Sequence, residues 1–213
     1  ASAARTLREW RSQGILEEVS PPALYIYYQS FTFRGRPYTR KGFIASVALE
    51  EKGVRAHEHT LAGPKADRLR LLRATETNDE LIFMLFTDPI HEAVKAMDQA
   101  IEGQKPMLEA TDDFGEKHYV WTVRNEATIK KLQALVAPCE LFIADGHHRY
   151  ETAINYKNRG TSSADIDYRG WTQIIADKRS DEGRVLEFQR AQIDPGVFGN
   201  VLIFLGLVPG NGH

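Results

Sequence analysis

"ELFIADGHHRYETAINY", residues 140–156, is the stretch on which the reading of this chain turns. Its first half is a continuous apolar run of strand length, and its second half puts Tyr150, Ala153 and Ile154 at helical spacing. Between the halves stand Asp145, Gly146, His147, His148 and Arg149. A buried strand passing through one glycine into a helix belongs to a sheet with helices packed on it, so the stretch predicts an α+β fold with a mixed β-sheet.

The neighbouring segments repeat the pattern. "NEATIKKLQALVAP" (125–138) reads as a helix capped by Asn125, with Ile129, Leu132 and Val136 inward. "EKHYVWTVR" (116–124) alternates as a strand, and "ELIFMLFTD" (80–88) is another apolar strand. "PIHEAVKAMDQAIEG" sets Ile90, Val94, Met97 and Ile101 on one helical stripe, with Gly103 just past the end. "GVRAHEHTLAGPKADRLRLLRAT" (53–75) starts extended and turns helical near Pro64, a residue suited to a first turn. "PPALYIYYQSFTF" (21–33) and "KGFIASVAL" (41–49) predict a β-hairpin with "RGRPYTR" as its turn. "AARTLREWRSQG" is an amphipathic helix ended by Gly14. "WTQIIADKRSDEGRVLEF" reads as strand, turn and strand, and the residues after it have little periodicity. The expected organisation is one α+β domain over 1–178 and a tail of unassigned structure over 179–213.

The 213 residues, 42% hydrophobic and 26% charged, are the composition of a globular protein. A net charge of -2 supplies no global drive towards nucleic acid or membrane, which leaves small molecules as the expected partners. The single cysteine, Cys139, excludes an intrachain disulfide and suggests a reducing compartment. The longest apolar candidate, "VFGNVLIFLGLVPG" (197–210), falls short of the roughly 18 residues of a membrane span, and "ASAARTLREWRSQG" lacks the apolar core of a secretory signal. Cytoplasm is the expected location.

The polar residues of the opening stretch carry the chemistry. A helix N-terminus offers N–H groups and a positive dipole end, Gly146 admits a ligand close to the backbone, and Arg149 offers a bidentate fork. His147 and His148 add donors whose charge can change near neutral pH. Together these suit a phosphate. Asp145 has three readings: a magnesium ligand, a general base towards a hydroxyl, or merely the cap of the following helix. Elsewhere, His57 and His59 of "AHEHT" share one face of an extended segment and Glu58 the other, a weak zinc pattern. Arg68, on the same connecting segment as Glu58, can turn back towards the same pocket, although runs such as "KADRLRLLR" are usually solvated faces.

"ILEEVSPPALYIYYQSF", "YTRKGFIASVAL", "HEHT…DRLRLLRAT", "IFMLFTD" and above all "FIADGHHRYETAINY" resemble the family of unknown function called DUF1015, in order from about residue 5 to about 157. After "WTQIIA" the family's usual continuation is not recognisable. The motif is also similar to that of the ParB/sulfiredoxin-like superfamily, whose free-serine kinases carry a like D-G-H-H-R run on a phosphate-binding strand–loop–helix. That resemblance implies that Gly146, His147, His148 and Arg149 hold phosphates, with Asp145 beside the acceptor hydroxyl and Glu58 as a second acid.

The leading expectation is therefore a small-molecule phosphotransferase of serine-kinase type. Magnesium would be its metal, and ATP, ADP or pyrophosphate its donor. The catalytic set would be Asp145, Glu58 and His147; Gly146, His147, His148, Arg149 and Arg68 would bind phosphate. A nucleotide-binding regulatory module without catalysis is the second reading, and a metal-dependent phosphohydrolase using His57, His59 and Asp145 the third.

Overall fold

The computed structural model describes residues 2–16, 23–49, 54–55, 62–78, 80–159 and 198–209. The chain order is α1 (Ser2–Ser12), β1 (Leu24–Phe33), β2 (Arg36–Ala48), β3 (Val54–Arg55), α2 (Ala62–Thr75), β4 (Ile82–Phe86), α3 (Glu92–Ile101), β5 (Leu108–Thr111), β6 (Lys117–Val123), α4 (Glu126–Val136), β7 (Leu141–Asp145), α5 (His147–Arg159) and β8 (Phe198–Pro209). This is the expected α+β class, and the sheet is mixed. Its eight described strands run in the order β3-β7-β4-β8-β2-β1-β6-β5. β4 and β7, and the wing β8-β2-β1-β6-β5, pair antiparallel; β4 with β8 and β3 with β7 pair parallel.

Alternation along the strands divides the apolar residues between two faces. On one face Leu24, Ile26 and Tyr28 of β1, Ile82, Met84 and Phe86 of β4, and Leu141 and Ile143 of β7 meet α3, α4 and α5. Met84, Met97 and Leu132 are fully buried there. On the other face Tyr25, Ile44 and Val120 form a smaller cluster. α3 is tied to the first face by polar groups as well. Asp98 takes the Tyr28 hydroxyl at 2.6 Å and the Lys41 ammonium at 2.7 Å. Burial, and then the Asp98 carboxylate, push the Tyr28 pKa far up, so its hydroxyl stays protonated as the donor.

Three expectations are corrected by the backbone. The hairpin turn is not the seven residues "RGRPYTR" but Arg34 and Gly35 alone, at φ 50° and 74°, and β2 begins at Arg36. Two left-handed residues match the twist of a hairpin, and glycine at the second makes them affordable. Pro37 is tolerated in β2 because the ladder with β8 starts only at Tyr38. Ile90 does not join the α3 stripe: it is 65% exposed in the turn before the helix, while Ala93, Val94, Ala96 and Met97 are the buried face. Finally, residues 198–209, placed by sequence in an unassigned tail, form β8 between β2 and β4. A continuous apolar run bounded by glycine and proline is strand-like in composition. The expected strand–turn–strand over 171–188 lies outside the described residues.

The helix predictions near the motif hold. Asn125 caps α4 by accepting the Thr128 N–H at 3.0 Å, and Tyr150 and Ala153 of α5 are buried. Among the described residues, no helix is long and apolar enough to cross a membrane.

Candidate functional site

β7 delivers Asp145 to the site with a local irregularity. Phe83 pairs with Asp145 but the next residue, Met84, pairs with Ile143, so Ala144 is an extra residue in β7. Such a bulge breaks the in-out alternation and re-aims the side chain that follows. The chain then turns at Gly146, whose φ of 96° is one that L side chains rarely adopt. The glycine serves a second purpose here. A Cβ on it would lie 3.1 Å from the Arg149 guanidinium, which therefore packs directly over the turn.

That placement brings Arg149 back to Asp145. Its Nη2 donates to Asp145 Oδ2 at 2.5 Å, and its Nη1 donates to the Leu81 carbonyl, fastening α5 to the start of β4. Nη1 also lies 3.3 Å from Glu80 Oε2. The same Glu80 oxygen is 3.4 Å from Arg68 Nη1, so Glu80 bridges α2 and α5 through two guanidinium groups. A cavity of about 40 Å³ opens beside this bridge, walled by Arg68, Thr77, Asn78, Glu80, Arg149 and Thr152 among others.

The structure thus gathers Asp145, Gly146, Arg149 and Arg68 in one neighbourhood, and adds Glu80, which composition alone does not distinguish from any exposed acid. His147, expected from the sequence to bind phosphate and take part in catalysis, is buried, 5% exposed. His148 is half-buried, and its Nδ1 has no hydrogen-bond partner among the described residues. Glu58, His57 and His59 lie outside the described residues.

Asp145 itself is 72% exposed. Among the described residues its carboxylate takes no N–H of α5; its partner is Arg149, through Oδ2. A helix-capping aspartate instead points its oxygens at the first-turn N–H groups. The helix mouth and Asp145 Oδ1 are accordingly not consumed by each other.

A separate polar cluster sits at the β5–β6 turn. Ligand atoms of Asp112, Glu116 and His118 lie within 4.8 Å of one another, close enough in principle for a metal ion. They are, however, already engaged. Asp112 Oδ1 accepts the N–H groups of Phe114 and Glu116, both at 2.9 Å, and its Oδ2 is 3.2 Å from His118 Nε2. His118 Nδ1 is 2.6 Å from the Tyr27 hydroxyl, and Gln29 donates to Glu116 at 2.5 Å. Partial desolvation pushes the Asp112 pKa up, but the hydrogen bonds from the Glu116 N–H, His118 and the Phe114 N–H outweigh it and hold the carboxyl below its usual range. The Tyr27 pKa is raised, chiefly by burial. The cluster closes a turn and fastens it to β1. The sequence reading of this segment as a plain strand missed it, since the partner Tyr27 comes from a distant strand.

Neither a curated protein nor a solved structure matches the chain. A family model does match, over residues 1–192, and so takes in the whole strand–glycine–helix site. The chain belongs to the family DUF1015, described as protein of unknown function.

Proposed function

We propose that the protein is a small-molecule phosphotransferase in which the mouth of α5 and Arg149 receive the phosphate, while Asp145 receives the acceptor hydroxyl. The observation that carries this reading is the use made of Asp145. It is an exposed carboxylate beside a helix N-terminus, and it orients an arginine instead of capping the helix. A group spent on capping would leave only a structural junction. The likeness of the D-G-H-H-R run to that of the free-serine kinases supports the same assignment and makes serine the first acceptor to test.

Each residue then has a stated task. Arg149 and the N-terminal end of α5 offset the phosphate charge as it builds, which is most of what phosphoryl transfer asks of a protein. Gly146 keeps the turn thin enough for the guanidinium to lie across it. Asp145 Oδ1 takes the acceptor's proton as the acceptor oxygen forms the new P–O bond and the bridging P–O bond breaks. Arg68 reaches the same neighbourhood from α2. The donor set also fits magnesium, a cation usually held by one or two carboxylates together with phosphate oxygens; bound there, it would neutralise donor charge. ATP, ADP and pyrophosphate are the donors to compare.

The test is a product assay with magnesium, each donor in turn, and a panel of hydroxyl acceptors headed by L-serine. Phosphorylated acceptor is expected, and Asp145→Asn should abolish turnover while donor binding survives. A wild-type protein that binds donor but phosphorylates no acceptor would overturn the catalytic reading in favour of a nucleotide-binding module. Turnover by Asp145→Asn at the wild-type rate would remove Asp145 from the chemistry.

A further inference from the structure

An arginine can grip a phosphate only with N–H groups that are not committed elsewhere. Arg149 has its Nη2 on Asp145 and its Nη1 on the Leu81 carbonyl, with Glu80 Oε2 at 3.3 Å. Arg68 turns its Nη1 to the same Glu80 oxygen at 3.4 Å. A cavity of about 40 Å³, walled in part by both arginines and Glu80, lies beside them. The place where an anion would touch both arginines is the one the Glu80 carboxylate already fills.

The three acceptors on Arg149 differ in how firmly they hold. The Leu81 carbonyl is backbone at the start of a sheet strand and cannot swing away. Asp145 makes a close charge-assisted bond at 2.5 Å, four residues away on the same turn. Glu80 makes only the long contacts of 3.3 and 3.4 Å, and its side chain is 50% exposed, so it can rotate into water with little loss. From this we infer that Glu80 is a built-in competitor: its carboxylate stands in the anion position between Arg68 and Arg149, and an incoming phosphate group takes that position by expelling it. The inference rests on the phosphate-site reading above and adds to it the group that sets the site's affinity and its preference for doubly charged anions. A dianion gains more from two guanidinium groups than a single carboxylate does, whereas a monoanion merely exchanges like for like.

Inorganic phosphate is the probe, titrated calorimetrically into wild type, Glu80→Gln and Glu80→Gln/Arg68→Gln at low ionic strength. Thermal unfolding is recorded for each as a check on folding. Glu80→Gln keeps the side chain's shape and removes its charge, and it should bind phosphate roughly 2- to 5-fold tighter, the scale of one exposed ion pair. Adding Arg68→Gln should cancel that gain. Wild type that binds phosphate, with Glu80→Gln binding no tighter, would overturn the competitor role and leave the phosphate site standing. No binding by wild type or by Glu80→Gln at millimolar phosphate would overturn both. If Glu80→Gln unfolds at markedly lower temperature, Glu80→Asp serves instead. The shortened acid should still fold and should release the arginines for tighter phosphate binding; unchanged affinity in a folded Glu80→Asp counts equally against the inference.

Discussion

After β4 the chain passes Asp88 and enters α3; at the end of β7 it passes Asp145 and enters α5. Both junctions hold a left-handed residue just before the helix, His91 at φ 55° and Gly146 at φ 96°. The carboxylates nevertheless go in opposite directions. Asp88 accepts the N–H groups of Glu92 and Ala93 at 3.0 Å and of Val94 at 3.2 Å, closing the mouth of α3. Asp145 accepts none at the mouth of α5 and turns to Arg149. Position explains part of the difference: Asp88 stands four residues before its first N–H partner, with room to fold back, whereas Asp145 is separated from α5 by a single glycine. The identity of the left-handed residue explains the rest. Histidine at that φ carries a strain of about 1 kcal/mol, which the three hydrogen bonds to Asp88 offset. Glycine carries no such strain and leaves its surface bare for the guanidinium. One junction spends its carboxylate on its own helix mouth, the other on an arginine of the first turn.

The comparison breaks most directly at Asp145. Asp145→Asn should lower phosphotransfer by roughly 10²- to 10⁴-fold, the usual contribution of a positioned general base. Because the carboxylate is mostly exposed and capping nothing, the same change should alter unfolding free energy by less than about 1 kcal/mol. Chemical denaturation of the variant beside its rate measures both. A variant that lost activity in proportion to a large loss of stability would return Asp145 to the structural class of Asp88.

Gly146→Ala should injure both properties. The added Cβ meets the Arg149 guanidinium at 3.1 Å on a backbone with φ of 96°. Strain of that kind costs about 1–3 kcal/mol, and displacing Arg149 should weaken phosphate binding along with it. Calorimetric titration and denaturation of one preparation would separate the two losses. The partner substitution, Asp88→Ala, should cost about 1–2 kcal/mol of stability through the lost cap of α3 and leave the activity per folded molecule unchanged. Activity lost in a fully folded Asp88→Ala protein would mean that the two junctions are coupled.

How much of this was legible in sequence depended on range. Asn125 and the α4 stripe, and Tyr150 with Ala153 in α5, could be read because caps and helical periods are local. The strand–glycine–helix identity of residues 140–156 was legible for the same reason. Ile90 was misassigned because the cap of α3 is delegated to Asp88, and the intervening turn looks like a first helical turn when only spacing is counted. β5 was not read at all: its four residues are mostly exposed and have no apolar signature. β8 lacked any period because its residues are apolar at successive positions, with no polar face to alternate with. At the site, Asp145 stood out in the sequence, but its three readings, magnesium ligand, general base and helix cap, could not be told apart, since the cap depends on where Arg149 turns. Glu80 was invisible, because its importance comes from Arg68 and Arg149 converging on it from two helices.

A third aspartate sharpens the comparison with the smallest effect. Asp112, like Asp88, spends its carboxylate on backbone N–H groups, and its pKa is held below the usual range by the Glu116 N–H, His118 and the Phe114 N–H against an opposing desolvation. A carboxyl depressed in the folded protein contributes stability that is fully present above its unfolded pKa of about 3.9 and is lost as pH falls through the lower folded value. The window is therefore acidic, below about pH 4, and the sign is fixed: protonation must favour the unfolded chain. Wild type should lose stability through that window more steeply than Asp112→Asn, and the two should run parallel from pH 5 to 7. Denaturation midpoints at half-unit intervals of pH would register it. Equal slopes in the two proteins would mean that the β5–β6 turn holds its shape without the charge. Asp112 would then differ from Asp88 only in having a neutral substitute, because an asparagine oxygen can still accept the two N–H groups that the turn presents.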